Sequence, residues 1–170
     1  MVMPNRKYPV PAPLAGGLTM GTGSGYNSSS QIITSVDNNF TVELWVNPTS
    51  THEIDAESTS VASGTSGQKY VIDPYWGGAT ASTAGMGISV GTNGVSVYEH
   101  ADGYMPALLV WEGAVSGWTH IAVVYESGTP RLYVNGVLVR TGLHSLMSQS
   151  ILNNWQVGRR GERFIQKPER

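Results

Sequence analysis

The sequence contains no cysteine. Disulfide staples, thiolate metal sites and a cysteine nucleophile are therefore excluded, and cysteine usage says nothing about redox compartment. Charge is scarce as well: Asp, Glu, Lys and Arg make up 13% of the chain, against about one quarter in a typical soluble domain. The polar surface must then be built from Ser, Thr, Asn, Gln and Gly, a mix common in secreted β proteins. A net charge of −2 and a pI near 6.0 leave no basic footprint, which argues against a nucleic-acid partner. No run of about 18 apolar residues occurs, so no membrane-spanning helix is expected. Met1 to Gly25 include Arg6 and Lys7 but lack the apolar stretch of a secretion signal. The expectation is a piece from inside a longer parent chain, with other domains as neighbours.

What is present points to β structure. At 170 residues and 40% hydrophobic, the chain can build one domain with a real core. Its 21 glycines and nine prolines supply many turns. Pro4, Pro9, Pro11 and Pro13 make residues 1–17 an extended arm or linker. Residues 18–160 are expected to form the domain, and 161–170 a loose charged tail.

The alternation of Phe40, Val42, Leu44 and Val46 against Thr41, Glu43 and Trp45 predicts a half-buried strand that Asn47-Pro48 ends. A short strand is expected around Tyr70 to Ile72, and others over Ala107 to Trp111, Trp118 to Tyr125 and Trp155 to Val157. Two hairpins are indicated by Asn-Gly pairs, which accept the positive φ angles of a type I′ turn. Asn93-Gly94 predicts Val90 opposite Val97 and Thr92 opposite Val95. Asn135-Gly136 predicts Val134 opposite Val137 and Leu132 opposite Val139, with Arg131, Tyr133, Leu138 and Arg140 on the other face. No helical periodicity is visible. Short strands with turn signals every 8–12 residues predict an antiparallel sandwich or barrel.

Three stretches together resemble one family. Phe40-Thr41-Val42-Glu43-Leu44-Trp45-Val46-Asn47-Pro48 is similar to the opening strand of laminin-G-like (LamG), concanavalin A-like jelly rolls. Gly117-Trp118-Thr119-His120-Ile121-Ala122-Val123-Val124-Tyr125 resembles their W-x-H-v-A-v-x-Y strand, and Arg131-Leu132-Tyr133-Val134-Asn135-Gly136 their L-Y-v-N-G hairpin. Gly87 to Val110 is similar to LamG modules inside large bacterial surface and Rhs/YD-repeat-type proteins. The resemblance implies an all-β, two-sheet antiparallel jelly-roll sandwich and an extracellular or cell-surface setting. It also brings calcium in as a candidate cofactor, although no residue cluster specifies it. Val157-Gly158-Arg159 fits the family's final segment, but Phe164-Ile165-Gln166-Lys167-Pro168 does not match its closing strand. The expected sandwich can therefore lack that strand, leaving an edge open to self-association or to a neighbouring strand.

Glu53-Ile54-Asp55-Ala56-Glu57 resembles the E-I-D-x-E strand of laminarinase-type glycoside hydrolases. On an extended strand the three carboxylates would share a face, with Glu53 as nucleophile, Glu57 as acid/base and Asp55 between them. Its Thr/Ser-rich flanks favour a solvated loop instead, with a weak calcium contribution as a third option. Tyr75 and Trp76 fall in a turn-rich loop, where aromatic rings stack on sugars or cap the sandwich. His100 and Tyr104 are candidates for the same rim, against a plain connecting loop. Trp118 and His120 are expected to be structural. Asn27-Ser28-Ser29 and Asn39-Phe40-Thr41 match the N-glycosylation pattern.

The favoured reading is thus a non-catalytic binding, adhesion or structural module, with glycan or protein ligands met by Tyr75, Trp76, His100 and Tyr104. The alternatives are a laminarinase-type hydrolase using Glu53, Asp55 and Glu57, and an assembly element completed by a neighbouring strand.

Overall fold

The computed structural model describes residues 26–27, 37–74, 82–151 and 156–157. The proline-rich arm, Tyr75 and Trp76, the expected closing strand and the charged tail lie outside the described residues.

Among the described residues eleven strands follow one another: β1 (Tyr26–Asn27), β2 (Phe40–Val46), β3 (Tyr70–Ile72), β4 (Thr83–Gly91), β5 (Gly94–His100), β6 (Ala107–Glu112), β7 (Thr119–Glu126), β8 (Thr129–Val134), β9 (Val137–Thr141), β10 (Gln149–Ile151) and β11 (Gln156–Val157). No helix occurs among the described residues. One sheet runs β2-β7-β8-β9; the other runs β10-β4-β5-β6, with β3 also paired to β4; β1 and β11 form a separate ribbon. All described pairs are antiparallel except β10 beside β4. This is the expected two-sheet sandwich of the jelly-roll class.

Alternation places the core. Val42 and Val46 of β2, Ile121 and Val123 of β7 and Leu132 of β8 meet Met86, Ile88 and Val90 of β4 and Val95 and Val97 of β5 in one buried cluster. Two layers of inward side chains are what aligned sheets need to exclude water. At its margin the rings of Phe40 and Tyr125, direct neighbours across β2 and β7, stack with centroids 4.7 Å apart.

The first hairpin differs from its expected register. Val90 pairs with Val95 and Ile88 with Val97, and Gly91 faces Gly94, so the turn is Thr92-Asn93. Neither turn residue has positive φ, which rules out type I′. Asn93 instead uses its side chain: its Oδ1 accepts from the His52 amide and its Nδ2 donates to the His52 carbonyl, both at 3.0 Å. Because the slip is by two residues, the inward set stays inward. Gly94 is required for another reason. A Cβ there would collide with the Trp111 carbonyl oxygen on the neighbouring strand.

The second turn is as expected, with Asn135 and Gly136 at φ 49° and 79° and Val134 opposite Val137. The pairing then shifts, so that Leu132 faces Arg140 rather than Val139. Val139 is the extra residue of a β-bulge. The bulge moves Arg140 from the outer face, where plain alternation puts it, to the side of Leu132. A third hairpin, without an Asn-Gly signal, joins β7 to β8 through Ser127 and Gly128 at φ 50° and 76°.

The stretch after β2 is the largest departure from a solvated loop. Residues 50–68 lie across the outer face of the β4-β5-β6 sheet and cover it. Glu53 N bonds Gly67 O, Ser58 N bonds Ala107 O, and Ser63 N bonds Met105 O. Beneath this cover Tyr70, Tyr98, Met105 and Ala107 form a second apolar cluster. The Tyr70 and Tyr98 rings meet edge-on at 5.6 Å.

His52 is the hinge of that cover. Its ring is 5% exposed, with Nδ1 at 3.2 Å from Gln68 Oε1 and 3.1 Å from Ser89 Oγ. Burial holds its pKa below the ordinary histidine value of 6.5, against the raising effects of the Gln68 bond and the Asp55 and Glu53 charges. A depressed imidazole pKa means the folded state resists a proton that the unfolded chain accepts. Stability is therefore full above pH 6.5 and declines as the pH falls below it. Burial depresses His100 in the same direction. Thermal melts of the native chain are expected to drop between pH 7 and pH 5, with a shallower slope in His52→Gln. An unchanged slope in that variant would remove His52 from this role.

Candidate binding site

The E-I-D-A-E segment belongs to this cover and to no sheet. Only Glu57 makes a bridge, parallel to Ala107 of β6. Glu53 is exposed. Asp55 Oδ2 accepts three hydrogen bonds: from Gly64 N at 3.0 Å, Gln68 Nε2 at 3.0 Å and Tyr98 Oη at 2.6 Å. Tyr98 has its pKa driven far up, first by burial and then by the Asp55 carboxylate, so it remains a donor. Glu57 Oε1 accepts from the Val110 amide at 2.8 Å and from Arg140 Nε at 2.9 Å, while its Oε2 meets Arg140 Nη2. The guanidinium thus grips Glu57 bidentately. Glu57 satisfies an edge amide of β6 and ties that edge to β9 of the opposite sheet.

Where these edges meet, the surface dips into an open depression. Asp55 and Glu57 from the cover, Trp111 and Glu112 from β6, and Val139 and Arg140 from β9 line it. Trp111 is half-buried, packed against the main core on one side. Its indole lies over Gly113, where any Cβ would overlap the ring. Glycine at that position lets the ring lie against the backbone, and the core fixes it there. Glu112 is exposed.

Of the rim residues expected from the sequence, His100 and Tyr104 fall among the described residues. His100 Nδ1 donates to the Pro74 carbonyl at 2.9 Å, immediately before the Tyr75 and Trp76 that lie outside the described residues. Tyr104 packs in a small buried cluster with Ala84 and Ala101, and its hydroxyl faces Glu99 at 3.4 Å. Burial first, and the Glu99 charge second, raise the pKa of Tyr104 to about 12. Tyr104 is thus 9% exposed. Trp118 is 47% exposed. His120 lies against Trp45 with centroids 5.3 Å apart and 3.5 Å from Glu43. Asn39, in the second glycosylation pattern, accepts from Ser127 N through its side-chain oxygen.

Sequence reading missed Trp111, Glu112 and Arg140. Trp111 reads as a core residue by alternation. Arg140 reads as an outer-face residue, and its partner lies 83 positions away in the chain. The Trp111-Glu112-Gly113 run was the one local signal, since glycine after a strand aromatic marks a close ring–backbone approach.

Among the described residues, no three His, Asp or Glu side chains stand close enough to share a metal ion. No helix among them is long and apolar enough to cross a membrane.

Comparison with the curated proteins finds no match. Among solved structures, carbohydrate binding module CBM66 from Bacillus subtilis is similar at 10% identity and a TM-score of 0.45, over 85% of this chain and 97% of its own. Domain 4 of AbnA, a GH43 extracellular arabinanase from Geobacillus stearothermophilus, in complex with arabinotriose, is similar at 17% identity and a TM-score of 0.45. That likeness covers 83% of this chain and 61% of the other. A family model described as the concanavalin A-like lectin/glucanases superfamily matches residues 21–165, most of the chain and both sheets of the sandwich. The chain belongs to the concanavalin A-like lectin/glucanases superfamily.

Proposed function

We propose that the chain is a non-catalytic glycan-binding module of a larger extracellular or cell-surface protein. The observation that carries this reading is the open depression that Trp111 lines beside Glu57, Glu112 and Arg140. A sugar ring offers apolar C–H faces to an aromatic ring and hydroxyls to charged donors and acceptors. The depression supplies both, and its aromatic ring is already in place before ligand arrives.

The family description covers binding and glucan cleavage alike, and the carboxylates favour binding. Asp55 is engaged by three internal donors and Glu57 by two residues. Both serve to hold the cover on the sheet. Tyr75 and Trp76 remain a second candidate contact patch in this proposal.

The test is a glycan-array screen with and without calcium, followed by calorimetry on Trp111→Ala, Trp76→Ala and Glu57→Gln. Loss of the Trp111 side chain is expected to weaken binding at least about tenfold, with a circular dichroism melt of the variant to separate that loss from a loss of stability. Trp76→Ala reports on the loop patch, and a calcium requirement would direct attention to ligands beyond the described residues. Glucan hydrolysis by the native chain, abolished in Glu57→Gln, would replace this reading with the hydrolase. Binding to no glycan at all would end it.

A further inference from the structure

We infer that Asn135 is a site of spontaneous modification: in the native chain its side-chain amide is lost to attack by the Gly136 backbone nitrogen, while the other Asn-Gly pair, Asn93-Gly94, is protected by the fold.

The chemistry makes separate demands on nucleophile, carbonyl and leaving group. The backbone nitrogen after the asparagine must be free to lose its proton and bond to Cγ, closing a five-membered succinimide. The Cγ–Nδ2 bond then breaks, and Nδ2 departs as ammonia, taking up a proton. Water opens the ring at either carbonyl, leaving aspartate or isoaspartate at position 135.

The turn between β8 and β9 meets each demand. Asn135 and Gly136 are exposed at φ 49° and 79°. In such a turn the closing hydrogen bonds run between the flanking residues, here Val134 and Val137. Gly136 N donates to no backbone carbonyl among the described residues. Nothing lies within 4 Å of the place a Gly136 Cβ would take, so no neighbouring group screens the backbone there. Asn135 Oδ1 accepts from His120 N at 3.0 Å, a donor already in place for the negative charge that gathers on that oxygen during attack. Asn135 Nδ2 has no hydrogen bond among the described residues and is free to leave.

Asn93 has the same neighbour in sequence and none of that freedom. Its Oδ1 and Nδ2 are both held by the His52 backbone at 3.0 Å. Gly94 is buried and belongs to β5, between Gly91 of β4 and Glu112 of β6. The leaving group is tied and the nitrogen is enclosed in the sheet, so reaction there must await local opening.

Conversion at position 135 acts on the strand beyond it. Isoaspartate carries the chain through its side-chain carbon and adds a backbone atom to the turn that sets the pairing of β8 with β9. The strand whose register is loosened is the one that holds Arg140 against Glu57.

The experiment stores the whole chain in mildly alkaline buffer, with and without urea. Both sites are followed by peptide mapping that separates the asparagine, aspartate and isoaspartate forms. In the folded chain, position 135 is expected to convert at least about tenfold faster than position 93. In urea the two rates should converge, because both pairs are then the same unstructured dipeptide. Gly136→Ala should slow conversion at position 135 at least about tenfold in the folded chain, since a side chain then stands beside the attacking nitrogen. It should leave position 93 as it was. Equal rates at the two sites in the folded chain overturn the inference, as does a position 135 that converts in urea but stays intact in the fold. A Gly136→Ala chain that converts at the native rate overturns it too, because the amide would then be lost without that nitrogen.

Discussion

Replacing Asp55 by Ala is expected to destabilise the domain by about 3 kcal/mol, read as a lower midpoint in urea unfolding. The carboxylate accepts from Gly64 N, Gln68 Nε2 and Tyr98 Oη. Gln68 has a second acceptor in the Glu53 carbonyl at 3.1 Å, so it is partly provided for. Tyr98 is 0% exposed and would be left with a buried hydroxyl and no carboxylate. A buried donor without its partner costs about 1–3 kcal/mol, and bonds to a charged acceptor contribute about 1.5–3 kcal/mol. Asp55 itself is only half-buried, and water entering the gap keeps the total at the lower end of their sum. The damage should be local first. Residues 58–66 should become sensitive to protease before the sandwich melts, because their hold on β5 passes through Asp55. Combining Asp55→Ala with Tyr98→Phe should cost less than the two single changes added together, since they share one bond. A loss below about 1 kcal/mol, or strict additivity, would show that the cover is held by other contacts.

A comparable loss, again about 3 kcal/mol, is expected from Gly94→Ala. The added Cβ would strike the Trp111 carbonyl oxygen, with the Trp111 carbonyl carbon at 3.2 Å and Glu112 Cα at 3.4 Å behind it. All three atoms are backbone, so no side-chain rotamer relieves the clash and β5 must move away from β6. The same movement displaces Trp111 and Glu112, so glycan binding should weaken together with stability. Gly136→Ala is the informative contrast. Nothing lies within 4 Å of that position, but its φ is +79°, and the expected cost is only about 1 kcal/mol for a left-handed Ala. It should leave binding untouched. Equal effects of the two alanines on binding would mean that Gly94 acts through the turn and not through its neighbour strand.

The strands and their faces were readable in the sequence because alternation is a local signal. Phe40 to Val46 shows it best: Val42 and Val46 are buried and Thr41 and Glu43 exposed, as the period of two requires. The second turn was readable because Asn135-Gly136 carries its own conformational preference. The first was misplaced because Asn93 answers to His52, 41 residues earlier, and no local rule contains that partner. The cover failed to register for a similar reason. A run rich in Ser, Thr and carboxylates reads as solvated, yet Asp55, Gln68 and His52 satisfy one another and the strand beneath. Tyr98 then reads as a surface residue of β5 although it lies wholly under the cover. Of the candidate site, the carboxylate motif was visible but its role was not. Trp111 and Arg140 acquire theirs only when two sheet edges are brought together.

The bulge at Val139 bears on which side chains reach the depression. Were Val139 instead paired with Leu132 in plain register, Arg140 would face Arg131 on the outer side and leave Glu57 without its guanidinium. The inward row through Leu132 would be unchanged, since it is set by β7 and β8. One step of register at this edge therefore decides which charge the depression presents, while the folding core is left as it is.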